Sequence, residues 1–202
     1  MTDLDVLWRA ARKLGSGRHA RKGLPPLLFF TDPERTPVAD LVLAGMPRGS
    51  GIVFRAFGAP DALAQARRLA TIARRRHVTF LVGASAALAI AGRADGLHLP
   101  ERLANRSGDN RRLRRRFLLT AAAHSLPAAA RARRAGVDAI VLSPVFPSAS
   151  PSAGRPIGAR RFAALVRAAA APCYALGGVN GRTVRALRKS GAIGVAAVSA
   201  LT

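Results

Sequence analysis

Only a few side chains in this sequence pair a proton-transfer group with a loop in which it could act. His124 stands in TAAAHSLPAA (120–129), just after an apolar β-type run and inside a stretch of small residues. An imidazole there can exchange a proton near neutral pH, which makes His124 the candidate acid–base group; the plainer alternative is a satisfied structural histidine. His98, at the end of DGLHL (95–99), is the second histidine at a strand end, whereas His19 falls in a basic linker and His77 precedes a strand. ALGGVN (175–180) and GVAAVSA (194–200) close two consecutive runs on glycine or other small residues. Glycine lets the main chain approach a ligand, and backbone N–H groups at such ends attract anions. Gly177, Gly178, Val198 and Ser199 therefore form a candidate phosphate cradle, the alternative being that the two glycines merely make a tight turn. Arg55, Ser143 and Arg155, at or just beyond the ends of other runs, complete the candidate ligand contacts.

The ten acidic residues allow a metal site to be judged by exhaustion. Asp3, Asp5, Asp40, Asp61 and Asp109 fall on helices or outer loops, and Asp95 and Asp138 precede strands, where they cap turns. Asp32, Glu34 and Glu101 remain, divided between strands that face each other across the mouth. No adjacent carboxylate pair for a Mg²⁺-diphosphate is present, so neither a metal site nor a cofactor is expected.

The elements that position these residues alternate. Strand-type runs at 27–32, 51–56, 78–83, 95–99, 117–122, 139–145, 173–178 and 193–200 are separated by stretches with apolar residues at helical spacing and arginines on the opposite face. Eight βα-type units over this length predict an α/β fold, a closed (β/α)8 (TIM) barrel, with the site at the C-terminal ends of the strands. The sequence stops at Thr202 directly after the eighth run, so no eighth helix is expected. DLDVLWRAARKL (3–14), amphipathic through Leu4, Val6, Leu7, Trp8, Ala11 and Leu14, is predicted to take that slot. Residues 1–26 then form an N-terminal helix and basic linker packing on a barrel of residues 27–202.

A chain of 202 residues that is 50% hydrophobic can bury a sizeable core, which excludes disorder and collagen-like repeats. The formal charge of +23 would suit nucleic acid, an anionic membrane or a phosphorylated ligand. All but three of the basic residues are arginines, however, and they are spread over many segments. A phosphorylated small molecule is the expected partner, nucleic acid is disfavoured, and self-association stays open. Cys173 is alone in an Ala/Pro/Tyr context and reads as a small core residue in a reducing compartment. No apolar run is long enough to span a membrane and the N-terminus carries no export-type pattern, so a cytoplasmic location is expected.

FFTD, ADGLHL, AAHSLPAAARARRAGVDAIVLSPVFPS, YALGGVN and GVAAVSAL, in this order over residues 27–201, resemble the thiamine phosphate synthase and thiazole tautomerase (TenI-like) family of barrels. The synthase branch implies Mg²⁺-dependent joining of hydroxymethylpyrimidine diphosphate to a thiazole phosphate. Its QLRxK motif falls on Val53, Phe54, Arg55, Ala56 and Phe57, so only the arginine is kept. Its Asn-Asp pair falls on Gly83 and Ala84, a further Asp on Leu103, a serine on Ala122 and a lysine near Pro151, with Arg155 as the nearby stand-in. The tautomerase branch, which isomerises a thiazole carboxylate phosphate without a metal, is similar in its His124-Ser125-Leu126. That resemblance implies a proton shuttle at His124, a carboxylate facing Arg55 and a phosphate on the glycine loops. The expected activity is tautomerisation; the alternatives are a divergent synthase and a non-catalytic barrel that binds an anion or a partner.

Overall fold

The runs LLFF, GIVF and AIVL carry apolar residues at every position, the pattern of strands covered on both faces in a parallel sheet. In a computed structural model, which describes residues 2–15, 23–35, 39–104, 112–148 and 154–198, they belong to a closed barrel of eight parallel strands in sequential order. The strands are β1 (Leu27–Phe30), β2 (Gly51–Phe54), β3 (Thr79–Gly83), β4 (Gly96–Leu99), β5 (Leu118–Ala123), β6 (Ala139–Leu142), β7 (Cys173–Ala175) and β8 (Gly194–Ala197). Closure is made by β8 against β1, with Leu28 opposite Ala196. Alternate side chains then divide into two layers. Leu28, Phe30, Val53, Leu81, Val141, Tyr174 and Ala196 pack together in one, while Leu27, Phe29, Ile52, Phe80 and Leu97 join the larger cluster beneath the helices.

The α-helices that cover this sheet include α1 (Asp3–Gly15), α2 (Ala39–Gly45), α3 (Ala62–Arg76), α4 (Ala86–Ala91), α5 (Leu126–Arg134) and α6 (Gly158–Ala169). In α3, Ala66, Leu69, Ala70 and Ala73 are buried at helical spacing while its arginines face outward. The helix α1 packs against β8 and β1, burying Leu7 and Ala11, and Asp3 Oδ1 accepts the Gly181 N–H at 3.0 Å. An N-terminal helix thus covers the place where the barrel closes.

The stretch after β7 expected to be a helix is only a 3₁₀ turn, Thr183–Leu187; after β4 the described residues open on a 3₁₀ turn, Glu101–Leu103, and residues 105–107 of the expected helix lie outside the described residues. After β7 the reason is local. Asn180 Oδ1 accepts the N–H groups of Arg182 and Thr183, as an N-cap does, and Lys189 and Gly191, at φ of +77° and +82°, follow the turn within four residues with a backbone that a helix cannot continue through. Strand β7 is also shorter than its sequence run, ending at Ala175, so Gly177 and Gly178 belong to the following loop. Cys173 is fully buried, and that burial pushes its thiol up to about 12 and leaves it inert.

Candidate active site at the C-terminal mouth

The strand ends converge on a cavity of about 650 Å³ that opens at the C-terminal mouth. Arg55, His98, His124, Ser143, Gly177 and Val198 all line it, which brings six sequence-derived candidates together. An adjoining cavity of about 340 Å³ lies between the loops after β6, β7 and β8 and is lined by Gly177, Gly178 and Val198. Arg155 lines neither cavity. It is exposed, three residues before the first residue of α6. Ser199 lies outside the described residues.

His124 is held by the ends of two elements. Ser125 caps α5, its hydroxyl accepting the Ala128 N–H at 3.3 Å, and this fixes the residue before it at the mouth. The His124 N–H donates to Glu101 Oε2 at 2.9 Å, and Glu101 is itself paired with Arg131 at 3.6 Å. The ring Nδ1 lies 2.9 Å from the Ser143 carbonyl oxygen. A carbonyl can only accept, so Nδ1 carries the proton and Nε2 of the neutral ring keeps its lone pair. The side chain is exposed.

His98 is the opposite case. It is buried on β4, shares a 2.9 Å hydrogen bond through Nδ1 with Thr120 Oγ1, and meets Phe30 edge-on at a ring separation of 4.9 Å. Burial, reinforced by the charge of Arg55, pushes it from 6.5 down to about 3, so it is a neutral hydrogen-bonding wall of the cavity.

On the other side of the mouth, Arg55 follows β2, with its Nε donating to the Thr31 carbonyl at 2.7 Å and its Nη2 to Asp32 Oδ2 at 3.2 Å. Its guanidinium lies 4.9 Å from the Phe57 ring centre and 5.8 Å from that of Phe30. The same Asp32 oxygen receives Arg35 Nη2 at 2.6 Å. Burial would raise the Asp32 carboxyl, but hydrogen bonds from Arg35 and the charges of Arg35 and Arg55 outweigh it and hold the group below its ordinary range. Arg35 lines both cavities and was not singled out from the sequence. Its signal was an aspartate three residues upstream in the turn that leaves β1, at the end of the strand where barrel sites form.

The glycine loop is shaped by its neighbour. Gly177 and Gly178 have φ of +93° and +62°, and a Cβ on Gly177 would come within 2.8 Å of Pro144. A Cβ on Gly178 would overlap the Pro147 carbonyl. Phe146 N–H donates to the Gly177 carbonyl at 2.9 Å, so the loop after β6 is fastened onto this one. Among the described residues the N–H groups of Gly177 and Gly178 have no acceptor, and both residues line the smaller cavity.

A magnesium ion needs several oxygen donors, with carboxylates foremost. Asp32 spends Oδ2 on two guanidiniums and Oδ1 on the N–H groups of Glu34 and Arg35, while Glu101 is engaged by His124 and Arg131. Among the described residues no three His, Cys, Asp or Glu come together as a metal site. The described donors at this mouth do not fit the ion.

The model of the thiamine monophosphate synthase family matches residues 27–201. The chain belongs to this family. Its relatives include the thiamine-phosphate synthase of Chloroflexus aurantiacus, 33% identical over 143 residues, which cover 68% of this chain and 63% of that protein. The thiamine-phosphate synthase of Chlorobium phaeobacteroides is 25% identical over 182 residues, with 88% of each chain covered. Among solved structures, the thiamine phosphate pyrophosphorylase from Pyrococcus furiosus superimposes with a TM-score of 0.74 at 25% identity, covering 94% of this chain and 87% of that one. The chain spans less than two thirds of the length of several curated relatives, 28% in the case of a bifunctional thiamine biosynthesis protein of Geobacter sulfurreducens. No helix among the described residues is long and apolar enough to cross a membrane.

Proposed function

We propose that this barrel binds a thiazole phosphate, with the phosphate in the smaller cavity and the ring in the larger, and isomerises the carboxylate form of that ligand. The observation that carries the reading is the state of His124. Its Nδ1–H is committed to the Ser143 carbonyl, so Nε2 is the atom that takes a proton from one ring position and returns it to another. Arg55 keeps Nη1 for the ligand carboxylate while Nε and Nη2 are tied to Thr31 and Asp32. The glycine N–H groups receive the phosphate. Every step uses residues this chain has and none requires a metal. A cytoplasmic location belongs to the same proposal.

The names of the relatives favour a second reading, the synthase reaction, and they back it better than the isomerase. Against it stands the donor set at the mouth, which does not fit the magnesium ion that the synthase reaction requires. Both readings share the thiazole phosphate end.

Titration of the purified chain with thiazole carboxylate phosphate, with and without Mg²⁺, tests the shared part, and Mg²⁺-independent binding is expected. Turnover between tautomers without metal then supports the isomerase. Diphosphate release that needs Mg²⁺ and both synthase substrates would replace it with the synthase reading.

A further inference from the structure

Of the described residues that line the smaller cavity, Arg35 is the only charged one. The rest are small, apolar or neutral polar, and the backbone N–H groups of Gly177 and Gly178 contribute partial charges alone. Arg35 is also held in place. Its Nη2 lies 2.6 Å from Asp32 Oδ2, and that oxygen accepts Arg55 Nη2 at 3.2 Å. One carboxylate oxygen therefore bridges two guanidiniums, of which Arg35 faces both cavities and Arg55 only the larger. A guanidinium carries its charge on a planar fork of N–H donors that matches phosphate oxygens. The three side chains together carry one net positive charge.

We propose that Arg35 is the side-chain cation of the phosphate site, and that Asp32 ties it to Arg55 so that the two arginines read the two ends of one ligand that is anionic at both. This inference rests on the phosphate position given under Proposed function and holds for either reaction discussed there. Arg35 is a binding residue; Asp32 is a positioning residue, acting through the two arginines.

Calorimetry of the full chain with inorganic phosphate at fixed ionic strength tests the first part. Arg35→Gln is expected to weaken binding about tenfold or more, as loss of a charge-assisted hydrogen bond does. Arg35→Lys, which keeps the charge and loses the fork, is expected to weaken it less. Arg167→Gln, an equal loss of charge at an exposed position on α6, is expected to stay within about twofold of wild type because solvent and salt screen a distant charge. Arg35→Gln matching Arg167→Gln would overturn this inference and leave the phosphate reading standing, whereas a wild type that binds no phosphate would overturn both. If Arg35→Gln fails to fold, Arg35→Met, which keeps the apolar stem and removes the charge, decides: weaker binding supports the role, and wild-type binding overturns it. For Asp32, the measurement is the coupling between Arg35→Gln and Arg55→Gln in binding thiazole carboxylate phosphate. Non-additivity of more than about twofold is expected, and additivity once Asp32→Asn is present. Additive effects with Asp32 intact would overturn its coupling role.

Discussion

His98 and His124 line the same cavity from neighbouring strands, and the fold treats them in opposite ways. His98 is enclosed among Phe30, Thr120 and the barrel wall, so its charged form is excluded and its Nδ1 is engaged with a hydroxyl. His124, one loop away, is exposed, its Nδ1–H held by a carbonyl and its backbone by Glu101. Under the proposed function, the difference is what an acid–base histidine needs beyond a place at a strand end: access to solvent or ligand, and a partner that fixes which nitrogen carries the proton.

The comparison breaks most decisively at His124. His124→Ala is expected to lower turnover of the thiazole carboxylate phosphate by about 10²–10⁴-fold, the usual contribution of a positioned acid–base group, while the melting temperature stays near that of wild type. An unchanged rate would remove the proposed role. His98→Ala should show the reverse emphasis. It empties a buried site and strands the Thr120 hydroxyl, a loss of about 2–4 kcal/mol that thermal or urea unfolding would register.

The pH dependence of stability sharpens the contrast further. His98 ionises near 6.5 in the unfolded chain and near 3 in the folded one, so between those values the unfolded chain binds the extra proton. Its contribution is complete above pH 6.5 and falls as the pH is lowered toward 3. Melting temperatures measured from pH 7 down to about 4.5 should therefore drop more steeply in wild type than in His98→Gln. Equal slopes would mean that His98 titrates normally and is not enclosed. The smallest effect is expected at Ser143. The acceptor for His124 is its carbonyl at 2.9 Å, with the hydroxyl farther off at 3.3 Å, so Ser143→Ala should change turnover by less than about threefold. A loss as large as that of His124→Ala would transfer the orienting role to the hydroxyl.

Most of the barrel is legible in the residue order, because runs such as LLFF and AIVL and arginine-faced helices such as α3 carry their periodicity in the sequence itself. The exceptions are instructive. The helix expected over NGRTVRALRKSG is a short 3₁₀ stretch, Thr183–Leu187, followed by Lys189 and Gly191 in left-handed backbone, a stop that apolar spacing does not record. At the site, His124 and the glycine pair were legible as residue types at strand ends. Arg155 was expected at the mouth from its nearness in sequence to the loop after β6, yet it is exposed beside α6 and away from both cavities.

The sequence by itself determined the eight-unit architecture, the strand ends at which chemistry can occur and the family, since each depends on local pattern and order. Tertiary structure alone decided that Asp32 would bridge Arg35 and Arg55 across 23 residues of chain, and that His98 would be sealed while His124 stayed open. Hydrogen bonding and desolvation act over a few ångströms in space, and residues distant in sequence come within that range only when the barrel closes.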